Sequence, residues 1–269
     1  MTGVGFSQRI PLEWLEQTAN LVLAGNDAAS IRAFLEELLA DKLSVGSHAK
    51  RGNRYKAISI LMKIWVRPPR QLKSFWQRGL HLLSRLPVDE HLAVHWGMTL
   101  AVYPFWGVVA GQAGRLLRLQ GRVAARQVQR RLKEQCGERE TVSRAARRVL
   151  RSLVDWGVLE ESSTAGVYLQ GRSRPIDEPE LIAWLTEAVL HTLPDGRGYL
   201  GAVMNSPSLF PFRLAPLSGD RLMTISNGLE VLRHGLDQEL ITLRPQGLSA
   251  AANRAASPRL DEHSSPIST

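Results

Sequence analysis

One cysteine in 269 residues, Cys136, leaves no partner for an internal disulfide and no basis for a cysteine-based zinc cluster. The opening residues, MTGVGFSQRIPLEW, lack the basic-then-apolar layout of a secretory signal, which points to a cytoplasmic protein. Catalytic signatures are missing as well. There is no G-x-x-x-x-G-K-[ST], no G-x-S-x-G and no Cys–His spacing suited to nucleophilic catalysis. The chain therefore reads as non-enzymatic, with no cofactor, metal or small-molecule substrate.

Two partial motifs fail on context. His91 and His95 lie one helical turn apart, but Leu92 stands where a metalloprotease helix needs Glu directly after the first histidine, so both read as packing residues. The run Gly196-Arg197-Gly198-Tyr199-Leu200-Gly201 matches G-x-G-x-x-G literally. It follows a helix-like stretch ending at Pro194-Asp195, without the strand and parallel βαβ context of a dinucleotide site.

What is present is a hydrophobic content of 44% with seven tryptophans, enough for a substantial interior, and a charged fraction of 22%, near the globular norm. At roughly 150 residues per domain, the length suggests more than one unit. The charge is unevenly spread. Lys42 to Val88 holds 11 basic residues and no acidic one, and Arg115 to Arg151 holds 12 basic and three acidic, leaving 11 basic and 22 acidic elsewhere. Screening over about 8–10 Å lets each block act on its own, so a polyanion is the expected partner, with a solvated helix surface as the plain alternative.

Hydrophobic spacing predicts helices over Leu12–Ala24, from Asp27 or Ser30 through Leu39, over Tyr55–Val66 up to Pro68-Pro69, and over Leu72–Leu86. No strand pattern precedes residue 157. Leu92 to Gly114 is uncharged over 23 residues, the length of a membrane span, but His95, Tyr103-Pro104, Gln112 and four glycines divide it into two core helices meeting near Pro104. No membrane is expected.

Residues 108–172 carry the strongest pattern. One helix runs to Leu119 and breaks at Gly121, a second covers Val123–Cys136, and a third runs from an N-cap at Thr141 to Trp156. Val158–Glu161 and Val167–Gln170 then flank a turn. Three helices and a hairpin describe a winged helix-turn-helix. On a 100° helical wheel Arg144, Arg147, Arg148 and Arg151 share one face, opposite Val142, Ala146, Val149, Leu150 and Leu153. Four cations without acidic i,i+4 partners repel one another, and duplex DNA would relieve that repulsion. The expected contacts are Arg139, Thr141, Ser143, Arg144, Arg147, Arg148 and Arg151 on or before the third helix. Arg122, Arg126 and Arg130 precede it, and Lys50, Arg51 and Arg54 sit in an earlier basic loop. An acidic protein partner is the alternative ligand of the same face, and a dimeric transcriptional regulator the alternative role.

In the last third, Asp177 caps a helix to Leu193, Pro207–Leu217 reads as an apolar linker, and Leu229–Arg233 with Glu239–Leu243 form a closing hairpin. From Gly247 the composition is that of a disordered tail. The whole is mainly α: a helical bundle over 1–107, a winged helix-turn-helix over 108–174, a small α+β unit over 175–246 and the tail over 247–269.

The segment LVLAG (21 to 25) closing an N-terminal helix, the basic helical middle, and RAARRVLRSLVDWGVLEES leading into a hairpin together resemble the BrxA family of small proteins from bacterial BREX phage-defence islands. The resemblance covers roughly residues 12 to 170. It implies a helical, non-enzymatic, winged-helix protein that binds double-stranded DNA and works beside other antiviral defence proteins.

Overall fold

A computed structural model describes residues 5–43, 52–137, 139–233 and 238–244. The expected tail lies outside them. The chain is mainly helical with three small sheets. α1 (Leu12–Leu23) and α2 (Ala28–Leu38) form the opening hairpin, and the Asp27 carboxylate caps α2 by accepting the Ser30 backbone N–H at 2.7 Å. α3 (Asn53–Leu61) continues into a π-helical turn over Met62–Val66, closed by the Arg67 N–H donating to the Met62 carbonyl at 2.7 Å before Pro68 ends the run. α4 (Lys73–Arg85) follows.

The long uncharged segment is two helices, α5 (His91–Val102) and α6 (Pro104–Gln120), bent by 120°. Tyr103 is pushed out of helical geometry by the proline after it, and Pro104 then opens α6, where its missing N–H costs nothing. Among the described residues no single helix is long and apolar enough to cross a membrane, although the bent pair passes by length and composition. Every residue of α5 is buried within the protein.

Gly121, at φ +68°, ends α6 in the left-handed conformation and turns the chain into β1 (Arg122–Ala124). α7 (Ala125–Cys136), α8 (Glu140–Asp155), β2 (Leu159–Glu161) and β3 (Val167–Gln170) follow. The three strands form one antiparallel sheet in the order β1-β3-β2, with Val123 and Glu161 both opposite Tyr168. β1 corrects the expectation of no strand before residue 157. Its three residues bury only Val123, too short a run to show alternation.

The remaining elements are β4 (Arg174–Ile176), α9 (Pro179–Leu190), β5 (Arg197–Tyr199), α10 (Leu200–Met204), a 3-10 turn over Pro207–Leu209, β6 (Phe212–Leu214), α11 (Gly219–Ile225), β7 (Leu229–Arg233) and β8 (Glu239–Leu243). β7 and β8 pair antiparallel as expected, with β5 added on the other side of β8, while β4 and β6 pair in parallel. The G-x-G-x-x-G run thus lies on an antiparallel edge strand leading directly into α10. Two expectations are corrected. α9 begins at Pro179 after Glu178, not behind an Asp177 cap, because proline suits the first helical position. The first half of the supposed linker is core: Leu209, Phe210 and Phe212 are buried and β6 pairs with β4. A Cβ on Gly114 would lie 2.0 Å from the Pro207 carbonyl oxygen, so α6 meets this turn backbone to backbone.

One hydrophobic core runs through all of these parts. At its centre the Trp96 ring from α5 meets Trp106 at 4.5 Å, Trp156 at 5.8 Å, and Phe210 and Phe212 each at 5.5 Å between centroids, mostly edge to face. Its indole N–H donates to the Ser208 carbonyl at 3.0 Å. The histidine pair is accounted for nearby. The Glu16 carboxylate on α1 meets His91 Nδ1 at 2.9 Å and His95 Nε2 at 2.7 Å, while Trp65 Nε1–H donates to His95 Nδ1 at 3.0 Å. That last bond puts the proton of His95 on Nε2, the nitrogen facing Glu16, so this histidine is a neutral donor with no free ring lone pair for a metal.

Trp96→Ala is expected to destabilise by about 3–5 kcal/mol in urea unfolding, the usual cost of removing a fully buried tryptophan. Acid should unfold the protein in two stages. Burial lowers the pKa of His95 below 6.5, so stability falls as pH drops below that value, where the unfolded chain takes a proton that the folded histidine refuses. Hydrogen bonds from His95 and then His91 hold Glu16 at about 2, so its contribution is complete above 4.5 and is lost as pH falls towards 2. Thermal melts of the wild type and of Glu16→Ala from pH 8 to pH 2 test this, the variant losing less in the second range, where the Asp27 and Glu140 carboxylates, also held low, still contribute.

Candidate nucleic-acid interface

α8 is positioned by what it buries. Val142, Ala145, Ala146, Val149, Leu150, Ser152 and Leu153 are enclosed, a spacing of three and four that gives a continuous apolar stripe against α6, α7 and β2. Its far end is tied to the N-terminal segment. Ile10 N–H donates to Ser152 Oγ at 2.9 Å, the Trp156 indole N–H donates to the Ile10 carbonyl at 2.9 Å, and Arg9 pairs with Asp155. A helix held on its inner face and at its end presents a fixed outer face.

That outer face carries the predicted arginines. Arg144, Arg147, Arg148 and Arg151 are all exposed, as are Arg139 and Thr141, and Ser143 is half-buried. Arg139 takes the N-cap position, without a side-chain cap, and Thr141 lies inside the first turn, one correction to the expected helix start. Gly137, at φ +87°, ends α7 just before it.

A second correction concerns the four cations. Arg144 is not free of acidic partners: its guanidinium bonds Glu140 at 2.8 Å one turn earlier, and this raises the Arg144 pKa and lowers that of Glu140. Arg151 pairs with Glu161 at the end of β2. Between them, Arg147 and Arg148 have no hydrogen-bonded carboxylate among the described residues, though Arg147 lies within the field of Glu140. The Glu140 pair follows the i,i+4 spacing and is readable from sequence. Glu161 is brought to Arg151 only by the fold of the hairpin.

On the preceding elements Arg122 and Arg126 are exposed, and Arg130 is exposed with Glu134 4.0 Å away. Arg131 turns inward, donating to Gln112 at 3.4 Å. The earlier basic block is used differently. Arg78 grips the buried carboxylate of Glu187, Arg85 bridges Glu178 and Glu180 at 2.9 and 2.8 Å, and the Lys63 ammonium sits 4.8 Å over the Tyr103 ring. Arg54, expected at the nucleic-acid surface, donates to the carbonyls of Ala40 and Leu43 after α2. It is half-buried there, because carbonyls beyond a helix end attract a guanidinium. Lys50 and Arg51 lie outside the described residues.

The Arg151–Glu161 pair is half-exposed on both sides. A double-mutant cycle with Arg151→Ala and Glu161→Ala in chemical denaturation is expected to give a coupling below about 1 kcal/mol that shrinks in high salt. Comparison of the chain with protein-family models, with curated proteins and with solved structures yields no match.

Proposed function

We propose that this chain is a non-enzymatic double-stranded DNA-binding protein of the winged helix-turn-helix type, with α8 as the helix entering the major groove and the β2–β3 loop as the wing. The observation that carries the reading is the arginine face of α8, set on a helix whose opposite face is anchored in the core. A row of exposed guanidiniums with two lacking bonded carboxylates is costly in like-charge repulsion and gains most from a polyanion. The succession α6, β1, α7, α8 and the β2–β3 hairpin, closed in the order β1-β3-β2, supports it, because the first strand ties the hairpin beside the helix pair.

In this reading Arg147 and Arg148 make the primary phosphate contacts, with Arg144 and Arg151 at the two ends of the row. Arg122, Arg126 and Arg130 add backbone contacts from β1 and α7, and Arg139, Thr141 and Ser143 lie where the start of α8 would approach the groove. Phosphate contacts supply most of the affinity and make it salt-dependent. The resemblance to the BrxA family extends the proposal to a cytoplasmic accessory role beside other proteins of a bacterial antiviral defence system.

Binding to duplex DNA across a salt series tests the proposal. Log affinity should fall linearly with log salt, and the variant with Arg144, Arg147, Arg148 and Arg151 all changed to alanine should lose most binding and flatten the slope by about 0.9 for each phosphate contact removed. Arg54→Ala should leave the affinity unchanged. If the native protein ignores DNA even near about 50 mM salt, the proposal fails and the arginine face belongs to an acidic protein partner.

A further inference from the structure

Two carboxylates bracket the arginine row at either end. Glu140 in the first turn of α8 holds Arg144 through both Nε, at 3.0 Å, and Nη2, at 2.8 Å. Glu161 holds Arg151 from the last residue of β2, where the chain leaves for the wing loop. All four side chains are exposed, from 45% to 73%, so both pairs stand on the outer surface. A duplex laid against α8 would bring its phosphates towards two negative groups as well as four positive ones. A surface shaped only for tight, indiscriminate binding would gain from neutral residues at 140 and 161.

Resting on the DNA-binding reading, we infer that Glu140 and Glu161 are specificity-determining residues. They occupy Arg144 and Arg151 in the free protein, so a ligand that takes up these arginines must first displace a carboxylate, and one that satisfies them better does so at lower cost. A lone phosphate oxygen exchanges one anion for another and leaves the displaced carboxylate beside the DNA backbone. The major-groove edge of guanine offers a guanidinium two acceptors in one plane, O6 and N7, without adding a charge. Generic duplex is therefore held through Arg147 and Arg148. Sites with guanine at the ends of the contacted stretch engage the outer arginines too. Each exposed ion pair opposes release of its arginine by up to about fivefold.

The test uses the full chain and random-sequence duplex DNA by fluorescence anisotropy, at salt concentrations from low to physiological, for native protein, Glu140→Gln, Glu161→Gln and the double variant. Glutamine keeps size and polarity while removing the charge, and circular dichroism checks the fold. The double variant is expected to bind random duplex about 5–25-fold more tightly, with a salt slope steeper by up to about 2. Glu161→Gln should tighten binding less in an Arg151→Ala background than beside Arg151, since only the direct repulsion of phosphate is then left to remove. Asp220→Asn serves as the charge control, since it removes an equally exposed partner, of Arg233 at 2.8 Å, from α11. It should leave affinity unchanged. If native protein binds DNA but the glutamine variants bind no tighter, or Asp220→Asn tightens binding equally, this inference is overturned while the DNA-binding reading stands. If neither native protein nor any variant binds DNA, that reading itself falls.

Discussion

The packing around the Trp96 indole is the contact on which the other parts of the molecule depend. This ring belongs to α5, yet the rings around it come from α6, from the end of α8 and from the segment leading into β6. Three other stretches converge on this one side chain, and the last of them also satisfies its N–H through the Ser208 carbonyl. Aromatic pairs of this kind prefer particular angles, so the cluster orients its contributors as well as holding them together. Trp156 in turn donates to the N-terminal segment, which also bonds Ser152. The outer face of α8 is aimed by contacts made entirely behind it.

Charge follows the same division. The basic block around α4 finds the acidic residues of α9, with Arg78 on Glu187 and Arg85 on Glu178 and Glu180, and Arg174 reaches back to Asp89. These pairs join regions about a hundred residues apart in sequence, and they engage two of the eleven cations that composition alone would assign to a ligand. Glu187 is the most enclosed of them. It also accepts the Ser226 hydroxyl at 3.3 Å, so its charge is met from two elements. The block on α7 and α8 is left facing outward, tempered at its ends by Glu140 and Glu161. Runs of cations that look equal in the sequence thus differ in use, because part of the first is tied to other elements of the fold.

Buried polarity obeys similar accounting. Glu16, His91, His95 and Trp65 form one connected set in which the direction of each resolved donor follows from its neighbour, and it locks α1 against α5 and the π-helical turn. The pattern His-x-x-x-His is therefore explained by packing chemistry.

Local features of the fold were legible in the sequence because they rest on periodicity and backbone chemistry. The break at Tyr103-Pro104, the cap at Asp27, the ends of β7 and β8 and the two-sided character of α8 all come from residues within a turn or a strand of one another. The arginine face was visible for the same reason, since a helical wheel needs no knowledge of the rest of the chain. Three kinds of feature were not. β1 is a strand only because β3 pairs with it, and the stretch from Ser208 to Phe212 is core where α6 offers glycine at position 114 for the turn to approach. Which arginines are already occupied depends on where Glu161, Glu187 and the Ala40 carbonyl arrive in space. Sequence by itself determined the longer helices and the side of α8 that carries charge, because both are set by interactions a few residues long; the short α10 and α11 were not legible in it. Tertiary structure decided the rest of which charges remain available, because apart from the i,i+4 pair of Glu140 with Arg144 an ion pair is settled by distance in space, and only folding brings halves such as Arg151 and Glu161 together.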